Sequence, residues 1–130
     1  MVIVYQQIYR KLEKIFGKDW YNISHVILQN QPYMKLYFEK LDHNRFALAH
    51  YFEQNGDLVA DPDMEFKVYP DKKMVEALSY QDSLGYRRVY PYPGDFSRFN
   101  IREKNQLNRF LSFWLGNLIT QGFQLTALKI

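Results

Sequence analysis

One short segment of the chain combines an imidazole with several carboxylates, the groups that bind metals and transfer protons. It runs from His50 to Asp63 and has the sequence HYFEQNGDLVADPD. His50 with Asp61 or Asp63 could act as a set of metal ligands or as the acid–base pair of an enzyme. However, the acids do not follow the alternate spacing of a calcium loop, and the paired histidines of a helical zinc motif are missing.

The same segment also has a structural explanation, which we favour. His50 alternates with apolar residues (Phe46, Leu48 and Phe52), so it is expected in the core, bonded to a buried partner. Asn55-Gly56-Asp57 is a strong turn signal, and the two acids that flank the proline can accept bonds from nearby backbone N–H groups. These acids are therefore better candidates for surface contacts than for catalysis.

A second polar segment runs from Tyr80 to Arg88. Its tyrosines and arginines suit a protein interface or the stacking of bases. Most of its residues are also explained by a β-hairpin, in which Asp82 bonds the turn and Gly85 takes the special backbone angle that glycine allows.

Basic and aromatic residues alternate in the later part of the chain, after an acidic middle segment. They could bind phosphates and bases, or form the centre of a protein interface. The net charge is only +3, which is weak for a nucleic-acid-binding protein, so nucleic-acid binding is kept as an alternative. The residues concerned are Arg87, Arg88, Tyr90, Tyr92, Arg98, Arg102 and Lys104.

Helices are predicted near both ends of the chain. Apolar residues at helical spacing predict a first helix over residues 2–16, and Gly17 stands where a helix would end. Asn100 is a typical N-cap with Glu103 three residues later, and a strongly amphipathic stretch follows as far as Gly122. The second helix should cover one face of a sheet.

Alternating segments between the two helices predict five strands joined by short turns, which form an antiparallel meander. Asp61-Pro62-Asp63 is interpreted as a break before the third strand, because proline cannot donate to a ladder.

The residues after 122 alternate weakly and suggest a last edge strand. The fold class is α+β, in a single domain over residues 1–130. The five strands are expected at Tyr33–Leu41, Arg45–Gln54, Met64–Val68, Met74–Gln81 and Tyr86–Tyr90.

Composition excludes several classes of protein. The chain has no cysteine, which excludes disulfides, thiolate metal sites and cysteine nucleophiles. No segment approaches the roughly 20 apolar residues of a membrane span, and the N-terminus does not have the pattern of a signal peptide. We therefore expect a soluble cytoplasmic protein without a cofactor or a bound metal.

Three stretches resemble a family described only as a domain of unknown function. They are HYFEQNGDLVADPDMEF (50–66), ALSYQDSLGYRRVYP (77–91) and FLSFWLGNLITQGF (110–123). The resemblance covers roughly residues 30 to 123. It implies a small bacterial protein of the kind often carried on plasmids, integrative elements and phages, and it implies no established activity.

These observations favour a non-enzymatic binding protein of a mobile element that acts through contact with another protein. Inhibition of a host defence nuclease, as by an anti-CRISPR or anti-restriction protein, is one such activity. The alternatives are an enzyme or metal protein that uses His50, and a nucleic-acid-binding protein that uses the basic segment 87–104. The residues expected to bind the partner are Asp57, Asp61, Asp63, Gln81, Asp82, Arg87 and Arg88.

Overall fold

A computed structural model describes residues 1–125 and shows an α+β fold. A helix at each end of the chain frames a six-stranded antiparallel sheet, whose strands are hydrogen-bonded in chain order. Short 3₁₀ turns follow the first helix and the fourth strand, at Trp20–Asn22 and Pro70–Lys72. The main elements are α1 (Val2–Phe16), β1 (His25–Leu28), β2 (Leu36–Asp42), β3 (Arg45–Gln54), β4 (Asp57–Tyr69), β5 (Met74–Asp82), β6 (Gly85–Arg88) and α2 (Ile101–Thr120).

Both helices begin and end where their local sequence predicts. Helix α1 is followed by Gly17, whose positive φ of 97° is accessible to glycine at little cost. Helix α2 is capped by Asn100, whose side-chain Oδ1 accepts a bond of 3.1 Å from the backbone N–H of Glu103. Gly122 has a φ of 93° just beyond the end of α2. The prediction of two terminal helices is confirmed.

The sheet is the predicted meander with one strand more than expected. Strand β1 is only four residues long, too short for alternation to distinguish it from a packed connection. Strand β2 begins at Leu36 rather than at Tyr33. The predicted edge strand after Gly122 falls mostly on residues 126–130, outside the described residues, and residues 123–125 form no strand.

Strand β4 shows the largest difference from the sequence-based prediction. The expected break at Asp61-Pro62-Asp63 lies inside a continuous strand of 13 residues. Ala49 pairs with Asp63 and Tyr51 pairs with Ala60, so Asp61 and Pro62 together oppose His50. This arrangement is a β-bulge, in which a proline is tolerated because the ladder is already interrupted there.

One face of the sheet and both helices enclose the core. This helix-covered face carries fully buried side chains on every long strand, including Phe38, Leu48, Met64 and Phe66. Trp20 lies among them, with its ring centroid 5.4 Å from that of Phe46. The opposite face, which we call the open face, carries the alternate residues of the same strands.

Two buried polar contacts hold α2 and the segment that precedes it against the sheet. Asn108 of α2 is fully buried, and its Oδ1 accepts a bond of 2.7 Å from the backbone N–H of Ala77, on the part of β5 that β6 leaves unpaired. Glu76 is 4% exposed and accepts bonds from the hydroxyls of Tyr69 and Tyr90. Segment 89–100 is thereby fixed along one side of the open face.

Candidate functional site

The segment His50–Asp63 forms the two arms of a β-hairpin, which continues through the expected break at Asp61-Pro62-Asp63. Asn55 and Gly56 have positive φ values of 54° and 85°, the conformation of a two-residue hairpin turn. Gln54 pairs with Asp57 directly beside this turn. Asp57 is therefore exposed at the end of the hairpin, as the turn signal predicted.

His50 is a core residue, as its alternation with apolar residues predicted. It is 7% exposed, and its Nδ1 lies 2.8 Å from the carbonyl oxygen of Lys35. Its ring lies edge-on to Trp114, with the two centroids 5.6 Å apart. Burial lowers the pKa of His50, while the Lys35 carbonyl and the charge of Asp61 act in the opposite direction.

The two acids that flank Pro62 lie on opposite faces of the sheet. Asp63 pairs with Ala49 and lies on the open face, where it accepts a bond of 3.0 Å from the hydroxyl of Tyr51. Asp61 is exposed on the other side, close enough to His50 for its charge to affect the ring. The bulge causes this separation, because its extra residue reverses the alternation of side chains.

The electrostatics of Asp63 follow from this position. Burial raises the pKa of Asp63. The Tyr51 bond opposes this shift, whereas the nearby charge of Glu39 adds to it. Burial and the bond to Asp63 raise the pKa of Tyr51 to about 12. His50 and Asp63 thus have separate surroundings, and the structure does not bring them together as a metal or acid–base site.

Asp82 and Arg87 support the hairpin between β5 and β6. Asp82 accepts bonds from the backbone N–H groups of Leu84 (2.8 Å) and Gly85 (3.2 Å), and from the hydroxyl of Tyr80 (2.8 Å). The Tyr80 bond, followed by the Leu84 bond, lowers the pKa of Asp82. Arg87 reaches α2, where it bonds the carboxylate of Glu103. The contacts of Asp82 match the predicted hairpin turn, whereas Gly85 does not have a positive φ, so the prediction that it takes a special backbone angle there is wrong.

The remaining predicted residues, Gln81 and Arg88, lie on the open face with Asp63. Asp63 pairs with Gln81, and Gln81 pairs with Tyr86. Asp63, Gln81 and Tyr86 continue a row of paired residues that begins with Tyr37 and Ala49 and crosses five strands. We call it the tyrosine row. Its members, in strand order, are Tyr37, Ala49, Asp63, Gln81 and Tyr86.

Sequence analysis singled out the segment that contains Tyr86, but it did not identify Tyr37. Tyr37 alternates with the apolar residues of β2, and its ring lies edge-on to Tyr51 with centroids 5.2 Å apart. Alternation alone assigns Tyr37 to the face opposite Leu36 and Phe38. Its neighbours Lys35 and Glu39 suggested only a solvated surface.

A groove of about 460 Å³ lies beside the tyrosine row, between the open face and segment 90–96. We call it the aromatic groove. Its floor includes Leu78 and Ser79, and its sides carry Tyr86 and Arg88 from β6 and Tyr92 and Phe96 from the connecting segment. A second cavity, of about 350 Å³, lies between the β5–β6 hairpin and Phe110 of α2.

The basic segment does not form one continuous patch. Arg87 bonds to α2, whereas Arg88 pairs with Ser79 on the open face. Lys104 lies 3.6 Å from the buried carboxylate of Glu76, and Arg98 stacks over the ring of Tyr92 at 5.4 Å.

Among residues 1–125, no three His, Cys, Asp or Glu side chains come together as a metal site. No helix in that range is long and apolar enough to cross a membrane.

These features define an α+β domain with one face covered by helices and a second face rich in tyrosine. The chain belongs to the family described as a domain of unknown function (DUF6908), whose model matches residues 4–124. The match includes the first helix and so extends beyond the stretches that carried the resemblance. No curated protein and no solved structure matches the chain at a significant level.

Proposed function

We propose that this protein is a small non-enzymatic binding protein that contacts a protein partner through the open face of its sheet. The tyrosine row is the observation that carries this proposal. It places tyrosines from β2 and β6 at its two ends, with Asp63 and Gln81 between them. Tyrosine gives a large contact area with few rotatable bonds and keeps a polar hydroxyl, which suits protein interfaces.

Contacts within the fold support a smaller set of residues for the proposed partner contact than the sequence suggested. Asp63, Gln81 and Arg88 share the open face, whereas Asp82 and Arg87 already bond within the hairpin and to α2. Asp61 lies on the other side of the sheet, next to His50. We therefore assign partner binding to the open-face residues.

The finer proposal is that this binding protein belongs to a mobile element and inhibits a host defence nuclease, in the manner of an anti-CRISPR or anti-restriction protein. The mobile-element setting rests on the resemblance of three segments to small bacterial proteins. A protein that imitates DNA would be strongly acidic, and this chain has a net charge of +3. Inhibition would accordingly come from covering a protein surface.

The test compares two double variants with the same change in charge. Asp63→Asn with Gln81→Arg alters the open face, and Asp61→Asn with Gln7→Arg makes identical substitutions outside it, Gln7 being exposed on α1. The wild type and both variants are used to capture proteins from a lysate of the source organism. We expect the open-face variant to bind the captured partner at least tenfold more weakly, a loss of about 1.4 kcal/mol.

The control variant should bind the partner as the wild type does, and circular dichroism should show that all three proteins are folded. Equal capture by the two double variants would contradict the placement on the open face. Once a nuclease is captured, its cleavage rate is measured with each protein added. Only the wild type and the control should lower that rate.

A further inference from the structure

The charges that line the aromatic groove are unevenly paired. Arg45 is engaged by two carboxylates, with its Nε 3.0 Å from Asp42 and its Nη1 3.1 Å from Glu65. Within residues 1–125, the side chain of Arg88 forms neither a hydrogen bond nor a salt bridge, and Lys67 forms no salt bridge. The groove therefore has two cations, Lys67 and Arg88, that form no salt bridge within the described part of the chain.

Lys67 lies against two aromatic rings, and Arg88 lines the same groove. The Nζ of Lys67 is 4.8 Å from the ring centroid of Phe96 and 5.1 Å from that of Tyr69. Phe96 is 52% exposed, and its ring lies edge-on to Tyr90 with centroids 4.8 Å apart. A flat ring that entered the groove could stack on Phe96 while its charged group approached Lys67 and Arg88.

The size and charge of the groove restrict the ligand. A volume of about 460 Å³ falls in the range of pockets that hold small organic molecules. The lining carries three cations (Arg45, Lys67 and Arg88) and two carboxylates (Asp42 and Glu65), both of which bond Arg45, so its excess positive charge suits one anionic group better than a chain of phosphates. The lining thus suits a ligand with one planar ring and one anionic group.

We propose that the aromatic groove binds a nucleoside monophosphate, with the base against Phe96 and Tyr92 and the phosphate between Lys67 and Arg88. Arginine binds phosphate through two parallel hydrogen bonds, and bases stack on aromatic side chains regardless of sequence. The same chemistry is available from a free nucleotide and from the terminal nucleotide of a single strand. This proposal does not depend on the protein-binding function.

The full chain is titrated with adenosine monophosphate, and binding is followed by the amide resonances of Ser79 and Arg88 in the NMR spectrum. Adenosine and inorganic phosphate are titrated separately, as is a short single-stranded oligonucleotide with a 5′-phosphate. Two pairs of matched variants complete the design. Arg88→Ala is compared with Arg109→Ala, and Phe96→Ala with Phe113→Ala, the control residues being exposed on α2.

We expect adenosine monophosphate to bind saturably with a Kd below about 1 mM, and adenosine or phosphate alone to bind at least tenfold more weakly. Each groove variant should lower the affinity for adenosine monophosphate by about ten- to a hundredfold. Each control should leave it unchanged, and the spectrum of every variant should show a folded protein.

Tighter binding of the oligonucleotide than of adenosine monophosphate would support the same chemistry and assign the ligand to a strand end. Tighter binding of the free nucleotide would assign it to the small molecule. The proposal would be overturned by the absence of saturable shifts, by phosphate binding as well as adenosine monophosphate does, or by equal effects of the groove and control variants.

Discussion

At the scale of single residues, His50 makes stability depend on pH without being part of a catalytic site. Burial lowers its pKa in the folded protein, so the unfolded chain binds a proton more readily. This contribution to stability is present above the unfolded pKa of about 6.5. It is lost as the pH falls below that value toward the lower pKa of the folded state.

A His50→Gln variant should therefore lose less stability than the wild type between pH 7.5 and pH 5, as measured by urea unfolding at several pH values. At neutral pH it should be less stable by about 1 kcal/mol, because the ring contact with Trp114 is lost. His43→Gln changes an exposed turn residue and serves as the control. A His50→Gln variant with the pH dependence of the wild type would show that the histidine is not responsible.

The positions of Asp61 and Asp63 on opposite faces of the sheet could not be predicted from the alternation of residues in the sequence. Asp61 and Asp63 are two positions apart, and regular alternation puts such residues on one face of a strand. The bulge at Pro62 separates them, because two residues of β4 oppose the single residue His50. Proline at this position signals an interruption of the ladder, but it does not distinguish the end of a strand from a bulge within it.

At the scale of elements, the bond between Asn108 and Ala77 connects α2 to the sheet. The backbone N–H of Ala77 has no strand beside it, since β6 pairs only with the residues from Ser79 to Asp82. Asn108 supplies the missing acceptor from a fully buried position. A helix side chain thus completes the hydrogen bonding of an interrupted sheet edge.

We expect Asn108→Ala to lower the free energy of unfolding by about 1 to 3 kcal/mol, because it leaves a buried backbone donor unpaired. Asn117→Ala makes the same substitution at an exposed position of α2 and should leave stability unchanged or slightly higher. Urea unfolding of both variants measures the difference. A stability change of equal size in the two variants would mean that helix propensity, rather than the bond to Ala77, explains the effect.

The elements themselves were largely predictable from local signals. Both helices carry strong apolar periodicity and recognisable ends at Gly17 and Asn100, which depend on only a few neighbouring residues. The aromatic groove has no such local signal. It exists because the hydroxyl of Tyr90 bonds the buried carboxylate of Glu76 on β5, which holds segment 89–100 along the open face. Long-range contacts of this kind cannot be derived from spacing along the chain.

At the scale of the whole molecule, one core connects the sheet to both helices. The cluster of buried residues extends from Ile8 on α1, through Phe46 and Phe66 of the sheet, to Leu115 on α2. The chain has two tryptophans, Trp20 between α1 and the sheet and Trp114 on α2. They report on two separate parts of this core, so they can test whether the domain unfolds as one unit.

We expect a single cooperative unfolding transition in urea, because neither helix can leave the sheet without exposing the shared core. In Trp114→Phe, fluorescence reports on Trp20 alone; in Trp20→Phe, it reports on Trp114 alone. Within each variant the fluorescence transition should coincide with the far-UV circular dichroism transition, although the two midpoints will differ as each substitution changes stability. A Trp114 signal that is lost at lower urea than the circular dichroism signal would show that α2 unfolds first and that the core is not one cooperative unit.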